Sequence, residues 1–226
     1  MKILCIVPAL PNDLSPETVA SIHNQTVPID NLLIVSEKIV EDISFPAKIS
    51  KALNNALANI NLENFDYILR VDGDTVIPSN FVEDNLKDRP HVAGDGDAML
   101  LHVPSFLSVM GGRFFSEQDD TYIRFRFAKE GLRSTDLKVQ PLSRRKFGVK
   151  HDYTYFVERG EIFYRFGYEP LHVFAKVLLD VRNVFLVFGY LKAAVLRYKR
   201  FDVSDYVKRL QVKHFLCLRS KLRAYF

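Results

Sequence analysis

The sequence contains no tryptophan and only two cysteines, and glycine and proline contribute ten residues each. Cys5 and Cys217 lie near opposite ends of the chain, so the sequence offers neither a disulfide framework nor a cysteine-based zinc site. Cys5 lies in an apolar run, where a buried reduced thiol is the usual occupant, and a reducing compartment is therefore favoured. The low glycine and proline content excludes collagen-like and low-complexity classes, and the 48% of hydrophobic residues excludes disorder.

Long apolar runs are also missing where a membrane anchor would need them. From residue 171 onward, the longest run without a charged residue is Asn183–Leu191, nine residues, whereas a spanning helix needs about 20. The N-terminus has one lysine, a short apolar stretch before Pro8 and no small-residue cleavage site, which predicts no secretory signal. The 226 residues suit one large α/β domain or one domain with an appendage.

Charge is unevenly distributed along the chain. Leu171–Phe226 contains twelve lysine and arginine residues against three acidic residues, a net charge of +9, while the preceding residues carry −5. The pattern predicts two helices here, Leu171–Tyr198 with a narrow polar stripe and a basic amphipathic helix capped by Asp202 or Ser204. Such a pair is typical of a membrane-surface element that binds anionic lipids. Packing against the body of the protein or forming a homo-oligomer interface is the alternative.

Strand-like and helix-like patterns alternate up to about Pro170. Buried strands are predicted at Lys2–Ala9, Leu32–Val35, Tyr67–Val71 and Ala98–Val103, helices at 15–25, Ala47–Ile60, 78–86 and Thr121–Lys129, and later strands at Val149–Val157 and Glu161–Tyr168 around Arg159-Gly160. This order predicts an α/β fold with a mixed, mainly parallel sheet flanked by helices. We therefore expect a catalytic domain over residues 1–170 and an amphipathic helical extension over 171–226.

The tripeptide Asp72-Gly73-Asp74 is the strongest chemical signal. It follows a buried strand, and ligands of open α/β sheets bind outside the carboxyl ends of the strands. Two carboxylates one residue apart can converge on one hard divalent cation, Mg²⁺ or Mn²⁺, that holds a diphosphate. An acidic turn without a metal is the alternative interpretation.

Five motifs in a fixed order make the sequence resemble the family-2 glycosyltransferases, nucleotide-diphospho-sugar transferases of GT-A (Rossmann-like) fold. The resemblance covers residues 1–168. The motifs are Ile6-Val7-Pro8-Ala9, Ser21-Ile22-His23-Asn24-Gln25-Thr26, the segment Asp66–Asp74, Val109-Met110-Gly111-Gly112-Arg113-Phe114, and Asp119-Asp120-Thr121-Tyr122-Ile123-Arg124 with Gly131.

The resemblance implies roles for the acidic residues. Asp74 would bind the cation that bridges the donor diphosphate, and Asp72 would contact the ribose or the metal. Asp120 would be the general base that deprotonates the acceptor hydroxyl. Asp119 stands where the family usually has glutamate and would orient the acceptor. A plain N-terminal helix cap is the alternative for the last two residues.

Further positions complete the predicted site. Pro8 and Ala9 would line the nucleotide pocket, and Glu37 is the only acidic residue placed to read the ribose or base. The Arg144-Arg145-Lys146 cluster would contact phosphate oxygens, unless it is a solvated charge run. His151 is a candidate third metal ligand or a structural histidine.

The acceptor pocket is assigned to Gly111, Gly112 and Asp97. Asp97 closes the motif Asp95-Gly96-Asp97, which precedes a strand and is otherwise a plain turn.

These features predict an inverting, metal-dependent glycosyltransferase, a hexosyltransferase peripheral on the cytosolic face of a membrane. It would move one sugar from a nucleotide-diphospho-sugar to a membrane-proximal acceptor, such as a lipid-linked one. The Gln-x-x-Arg-Trp motif of processive members is missing, which argues against polymer synthesis. A non-catalytic nucleotide-sugar-binding or scaffold protein of the same fold is the first alternative. A two-metal phosphoryl-transfer enzyme or nuclease is disfavoured by the acidic body and the apolar tail, and no nucleic-acid partner is expected.

Overall fold

The structure, a computed structural model, describes residues 1–10, 12–143 and 153–223, with only the backbone of Asp95, Ser143 and residues 214–223. The chain divides into two compact units, Met1–Phe147 and Gly148–Phe226. The boundary predicted at residue 170 falls inside the second unit. No helix of the described part of the chain is long and apolar enough to cross a membrane.

The first unit is built on a mixed sheet flanked by helices. Its elements in chain order are β1 (Ile3–Pro8), α1 (Pro16–His23), β2 (Asn31–Val35), α2 (Phe45–Leu57), a 3₁₀ turn (Leu62–Asn64), β3 (Tyr67–Val71), β4 (Thr75–Val76), α3 (Phe81–Leu86), β5 (Val92–Asp95), β6 (Ala98–His102), α4 (Val103–Met110), α5 (Asp119–Lys129), β7 (Ser134–Thr135) and β8 (Leu142–Ser143). The strand order is β2-β1-β3-β6-β5-β7, and β4 pairs with β8. The pairs β1–β2, β1–β3 and β5–β7 are parallel, while β6 runs antiparallel to β3 and β5. The predicted mixed, mainly parallel α/β fold is confirmed.

The central strands are buried on both faces, as their continuous apolar runs predict. Alternate side chains enter two separate cores, because successive residues of a strand point to opposite faces. Ile3, Cys5 and Val7 of β1 pack in the core that contains α1 and α3. Leu4 and Ile6 pack in the other core, with α2, α4 and α5. Burial raises the pKa of the Cys5 thiol, in keeping with the reduced buried cysteine expected from the sequence.

Helix α1 begins as the sequence predicts. The side chain of Ser15 accepts a hydrogen bond from the backbone N–H of Glu17 at 3.3 Å, and Pro16 occupies the first turn. Proline suits this position because its missing N–H would have no partner inside the helix.

The second unit is helical, and two predictions for it are wrong. Its elements are α6 (Tyr153–Arg165), α7 (Pro170–Ala175), a 3₁₀ turn (Lys176–Leu178), α8 (Asn183–Val195) and α9 (Ser204–Arg223). Two strands were predicted here, at Val149–Val157 and Glu161–Tyr168. Residues 153–165 form helix α6 instead, and residues 149–152 lie outside the described residues. Aromatic and β-branched residues favoured strands, but the buried residues Phe156, Gly160 and Phe163 follow helical spacing.

The single helix predicted over Leu171–Tyr198 is also interrupted. The Asp180 carboxylate accepts the backbone N–H of Arg182 at 3.0 Å, and the Asn183 side chain donates to the carbonyl of Lys176 at 2.8 Å. Such local side-chain hydrogen bonds compete with helix formation and separate α7 from α8.

Two glycines allow α6 and α8 to pack closely. A side chain on Gly160 would overlap the carbonyl oxygen of Leu186, and one on Gly189 would overlap the carbonyl oxygen of Val157. The dipeptide Arg159-Gly160, predicted as a turn between strands, is therefore a helix-packing site.

Replacing Gly189 with alanine should lower the unfolding free energy of the second unit, by about 1–3 kcal/mol, because the added methyl group forces the helices apart. Helix propensity alone predicts the opposite sign, a gain of about 1 kcal/mol. Urea unfolding followed by circular dichroism measures the difference. As a control, Ala194→Gly in the same helix measures the effect of helix propensity alone. A Gly189→Ala protein that is more stable than the parent would contradict the packing interpretation.

Candidate functional site

The acidic tripeptide lies at the carboxyl edge of β3, beside the end of β1. A side chain on Gly73 would come within 2.5 Å of the Ala9 Cβ, so only glycine fits between the two segments. The backbone N–H of Ser15 also donates to the carbonyl of Gly73 at 2.8 Å. The structure thus brings together the tripeptide and Ala9, which directly follows Pro8 at the end of β1.

The turn between β5 and β6 lies at the same edge. The backbone N–H of Asp72 donates to the carbonyl oxygen of Asp97 at 3.0 Å, just beyond the Val71–Ala98 pair that ends the β3–β6 ladder. Because β6 runs antiparallel to β3, its first residue lies beside the last residue of β3. Asp97, which precedes β6, therefore lies next to the predicted metal site. Asp97 also contributes to the electrostatic field at the Asp72 carboxylate.

Helix α5 brings two more carboxylates to this edge. Its first residues are Asp119 and Asp120, preceded by Gln118 in a left-handed conformation with φ 47°. The Asp120 Oδ2 atom accepts the backbone N–H of Gly96 at 3.0 Å. The carboxylate of Asp120 is thereby held by the turn between β5 and β6. A residue that only caps its own helix would not make this contact.

Arg70 joins the two acidic segments, and its place in the candidate site was not predicted from the sequence. Its Nη1 donates to the Oδ2 of Asp119 at 2.6 Å, and its Nη2 donates to the Oδ1 of Asp72 at 3.4 Å. The Arg70 side chain is 7% exposed and that of Asp119 is 9% exposed. A charged residue inside the apolar strand Tyr67–Val71 was the available signal, because arginine is almost never buried without a partner.

The electrostatics of Arg70 follow from these contacts. Burial acts to lower its pKa, but the nearby carboxylates of Asp119, Asp72 and Asp120 raise the pKa above its ordinary value. Its Nε atom is buried and has no hydrogen-bond partner among the described residues. Arg70 is therefore permanently charged.

The carboxylates repel one another. Burial raises the pKa of Asp72 to about 6; Arg70 opposes this rise, while Asp97, Asp119 and Asp74 add to it. Burial also raises the pKa of Asp119, against the influence of Arg70. The Asp72 side chain remains 35% exposed. The site thus concentrates negative charge around one arginine, and the Asp72 carboxylate stays partly exposed to solvent.

Other predicted residues lie apart from this group or outside the described residues. Both oxygens of Glu37 accept from the Asn55 side chain of α2 at 3.0 Å. Gly111 and Gly112 line a separate cleft of about 490 Å³, formed with the end of α2 and the 3₁₀ turn before β3. None of the acidic residues around Arg70 lines that cleft. Arg144, Arg145, Lys146 and His151 fall outside the described ranges.

Comparison with known proteins shows the fold. No family model and no curated protein matches the sequence. A mannosyltransferase from Pyrobaculum calidifontis, in complex with GDP-mannose and Mn²⁺, matches with a TM-score of 0.50 and 14% identity over 99% of this chain and 82% of that chain.

Two weaker structural matches are a glucosyl-3-phosphoglycerate synthase from Mycobacterium tuberculosis and a cytidylyltransferase from Leptospira borgpetersenii. The synthase has a TM-score of 0.44 and 12% identity over 64% of this chain and 72% of that chain. The cytidylyltransferase has a TM-score of 0.41 and 12% identity over 72% and 86%. The likeness to the mannosyltransferase, at 14% identity, shows the fold alone: the chain has an α/β fold of GT-A type.

Replacing Arg70 with methionine should lower the unfolding free energy by about 3–5 kcal/mol, because it leaves the buried Asp119 carboxylate without its counter-charge. The double variant Arg70→Met with Asp119→Leu should be more stable than Arg70→Met alone, since the buried carboxylate that lost its counter-charge is then removed as well. Urea unfolding measures both. Lys87→Met, which removes an exposed ion pair with Asp84, should cost less than about 1 kcal/mol. A double variant less stable than the single one would contradict this account.

Asp72 should destabilise the metal-free protein at neutral pH. Its raised pKa means that the folded state binds a proton at pH values where the unfolded chain does not, so its contribution to stability falls as pH rises through the folded pKa. Asp72→Asn should therefore raise the unfolding free energy by about 1 kcal/mol at about pH 7.5, allowing for solvent screening of the exposed carboxylate, and by nearly zero at about pH 4. Chemical unfolding in the presence of EDTA measures this. A variant less stable than the parent at the higher pH would contradict it.

Proposed function

We propose that this protein is an inverting, metal-dependent glycosyltransferase that moves a single sugar from a nucleotide-diphospho-sugar to a membrane-proximal acceptor, such as a lipid-linked one. The observation that carries the proposal is the convergence of Asp72, Asp119 and Asp120 on Arg70 at the carboxyl edge of a GT-A type sheet. Ligands of open α/β sheets bind at this edge. The mannosyltransferase of similar fold is a complex with GDP-mannose and Mn²⁺, which supports the same ligand classes for this protein.

The donor set suits a hard divalent cation. Within the described residues, no group of three histidine, cysteine or acidic side chains could enclose a metal ion by itself. Mg²⁺ and Mn²⁺ need only one or two protein carboxylates when a diphosphate and water supply the other oxygens. Asp74, with Asp72, would hold the cation, and the repulsion that raises the Asp72 pKa is the kind that a cation relieves. When bound, the metal would stabilise the charge of the leaving nucleoside diphosphate.

Asp120 is suited to act as the general base. Its Oδ2 accepts the N–H of Gly96 at 3.0 Å, which fixes the carboxylate and leaves Oδ1 to take a proton from an acceptor hydroxyl. Attack by that hydroxyl on the face opposite the diphosphate would invert the anomeric centre. Asp119 is engaged by Arg70 and would position the base rather than take the proton.

The remaining predicted contacts stay proposals. Pro8 and Ala9 lie at the edge where a nucleotide would sit, beside Gly73. Arg144 and Arg145 would bind phosphate oxygens, and His151 would be a third metal ligand. Glu37 would contact the ribose or base only if it released Asn55. Gly111 and Gly112 would shape the acceptor pocket only if an acceptor extended to their cleft.

The basic C-terminal segment supports a peripheral location on the cytosolic membrane face. Each lysine or arginine near an anionic surface contributes about 1 kcal/mol of attraction. Twelve such residues after residue 170, against three acidic ones, would keep the enzyme where a lipid-linked acceptor is presented.

Two variants test the proposed function. A panel of nucleotide-diphospho-sugars with Mn²⁺ should contain one donor that raises the melting temperature and is slowly hydrolysed. Asp74→Ala should abolish the Mn²⁺-dependent stabilisation. Asp120→Asn should keep the stabilisation but lower turnover by about 10²–10⁴-fold.

Asp136→Asn is the matched control, because Asp136 is 85% exposed and pairs with Arg124 instead of Arg70; it should change neither property. Full turnover in Asp120→Asn would refute the base assignment. Donor binding without any turnover in the parent protein would favour a nucleotide-sugar-binding protein, and no stabilisation by any donor would refute the proposal.

A further inference from the structure

Helix α8 is apolar on two opposite sides. Leu186, Gly189 and Ala193 are buried on the side that packs on α6. On the other side, Val184, Phe188, Leu191 and Val195 recur at intervals of four, three and four residues, and they are 47–80% exposed. Among the described residues of the second unit, therefore, one apolar side of the helix is packed and the other is exposed.

The elements that pack beside α8 also carry exposed apolar residues. Both α7 and the following 3₁₀ turn pack beside α8. Leu178 and Leu179 are 88% and 85% exposed there, and Phe174 is 44% exposed. We define the apolar surface of the second unit as six residues: Phe174, Leu178, Leu179, Val184, Phe188 and Val195. An exposed set of this size marks an interaction site, because single exposed apolar residues are ordinary but clusters of them are not.

The segment that carries this surface has a net positive charge. Residues 170–203 contain six lysine and arginine residues and two acidic residues, a net charge of +4. Asp180 pairs with Arg182 at 2.7 Å and Lys192 pairs with Glu161 at 2.6 Å, so these two ion pairs add little net charge. Arg197 and Lys199 directly follow α8 and are exposed. An apolar helix face with cationic flanks is the pattern of a helix that lies in the interface of an anionic bilayer.

A second copy of the chain fits the surface less well. In a symmetric dimer, the same patch of each copy faces its partner, so the two positive segments would be brought together. An anionic lipid surface instead satisfies both the apolar side chains and the surrounding cations. Helix α8 has 13 residues, a length of about 20 Å, which suits a helix parallel to the membrane.

We propose that the apolar surface of the second unit inserts into the boundary between headgroups and acyl chains of an anionic bilayer, with α8 lying in the membrane plane. This deepens the proposed function by naming the surface that would hold the enzyme near a lipid-linked acceptor. Lipid binding needs no sugar donor, so its failure is distinguishable from a failure of the glycosyltransferase assignment.

Vesicle co-sedimentation of the full chain tests the proposal. The parent protein should bind phosphatidylcholine vesicles that contain about 30% phosphatidylserine, and bind pure phosphatidylcholine far more weakly. Replacing Leu178 and Phe188 together with serine should lower the partition coefficient at least about tenfold, because each inserted side chain then loses its transfer into the apolar region. The double variant Arg197→Gln with Lys199→Gln should lower the partition coefficient about fivefold for each charge removed. This decrease should occur only with anionic vesicles.

The first unit provides a matched control. Val40 and Phe45 are 86% and 63% exposed, so replacing both with serine removes similar exposed apolar area elsewhere and should leave the partition coefficient unchanged. Circular dichroism and melting temperature should be the same for all variants. Equal vesicle binding by the Leu178/Phe188 variant and the parent would overturn the proposal. A parent protein that does not bind vesicles but forms a dimer would also overturn the proposal if the Leu178/Phe188 variant abolished that dimer. The surface would then join two copies of the chain.

Discussion

The buried ion pair between Arg70 and Asp119 is the interaction that organises the first unit around its candidate site. A guanidinium in a central strand is tolerable only because the start of α5 delivers a carboxylate 2.6 Å away. The same side chain reaches Asp72, so one residue fixes the acidic tripeptide relative to the helix that carries Asp120. The requirement to neutralise a buried charge is thus also what brings the proposed metal ligand and the proposed base into one site.

Backbone contacts limit how this edge of the sheet can be built. The absence of a side chain at Gly73 lets Ala9 approach, and the N–H of Asp72 is satisfied by the carbonyl of Asp97. Each contact joins segments that are distant in sequence, and together they hold three loops against one another. Burial, together with the neighbouring carboxylates, raises the pKa of Asp72, a cost in stability that a bound cation would relieve. Such tension between stability and function is common where charge is assembled for binding or catalysis.

The two apolar sides of helix α8 differ in their surroundings: one is packed and the other is exposed. Gly160 and Gly189 let α6 and α8 approach closely, which satisfies one side of α8. The other side remains exposed beside a surplus of cations. Our proposal that this side inserts into a lipid surface follows from the free-energy cost of exposing leucine and phenylalanine side chains to water.

Local patterns were sufficient for four of the eight described strands of the first unit, β1, β2, β3 and β6, for the capped start of α1 and for the position of the acidic tripeptide. Buried strands carry continuous apolar runs, and caps and tight turns require particular residues within a few positions, so their signals are contiguous in the sequence. Tertiary structure alone decided that residues 153–165 are helical, that Glu37 pairs with Asn55, and that Gly111 and Gly112 line a different cleft from the carboxylates. It also decided that Arg70 is the partner of Asp119, 49 residues away. The reason is physical: helix packing, ion pairing and cleft formation depend on which surfaces meet after folding, and no short stretch of sequence contains both surfaces.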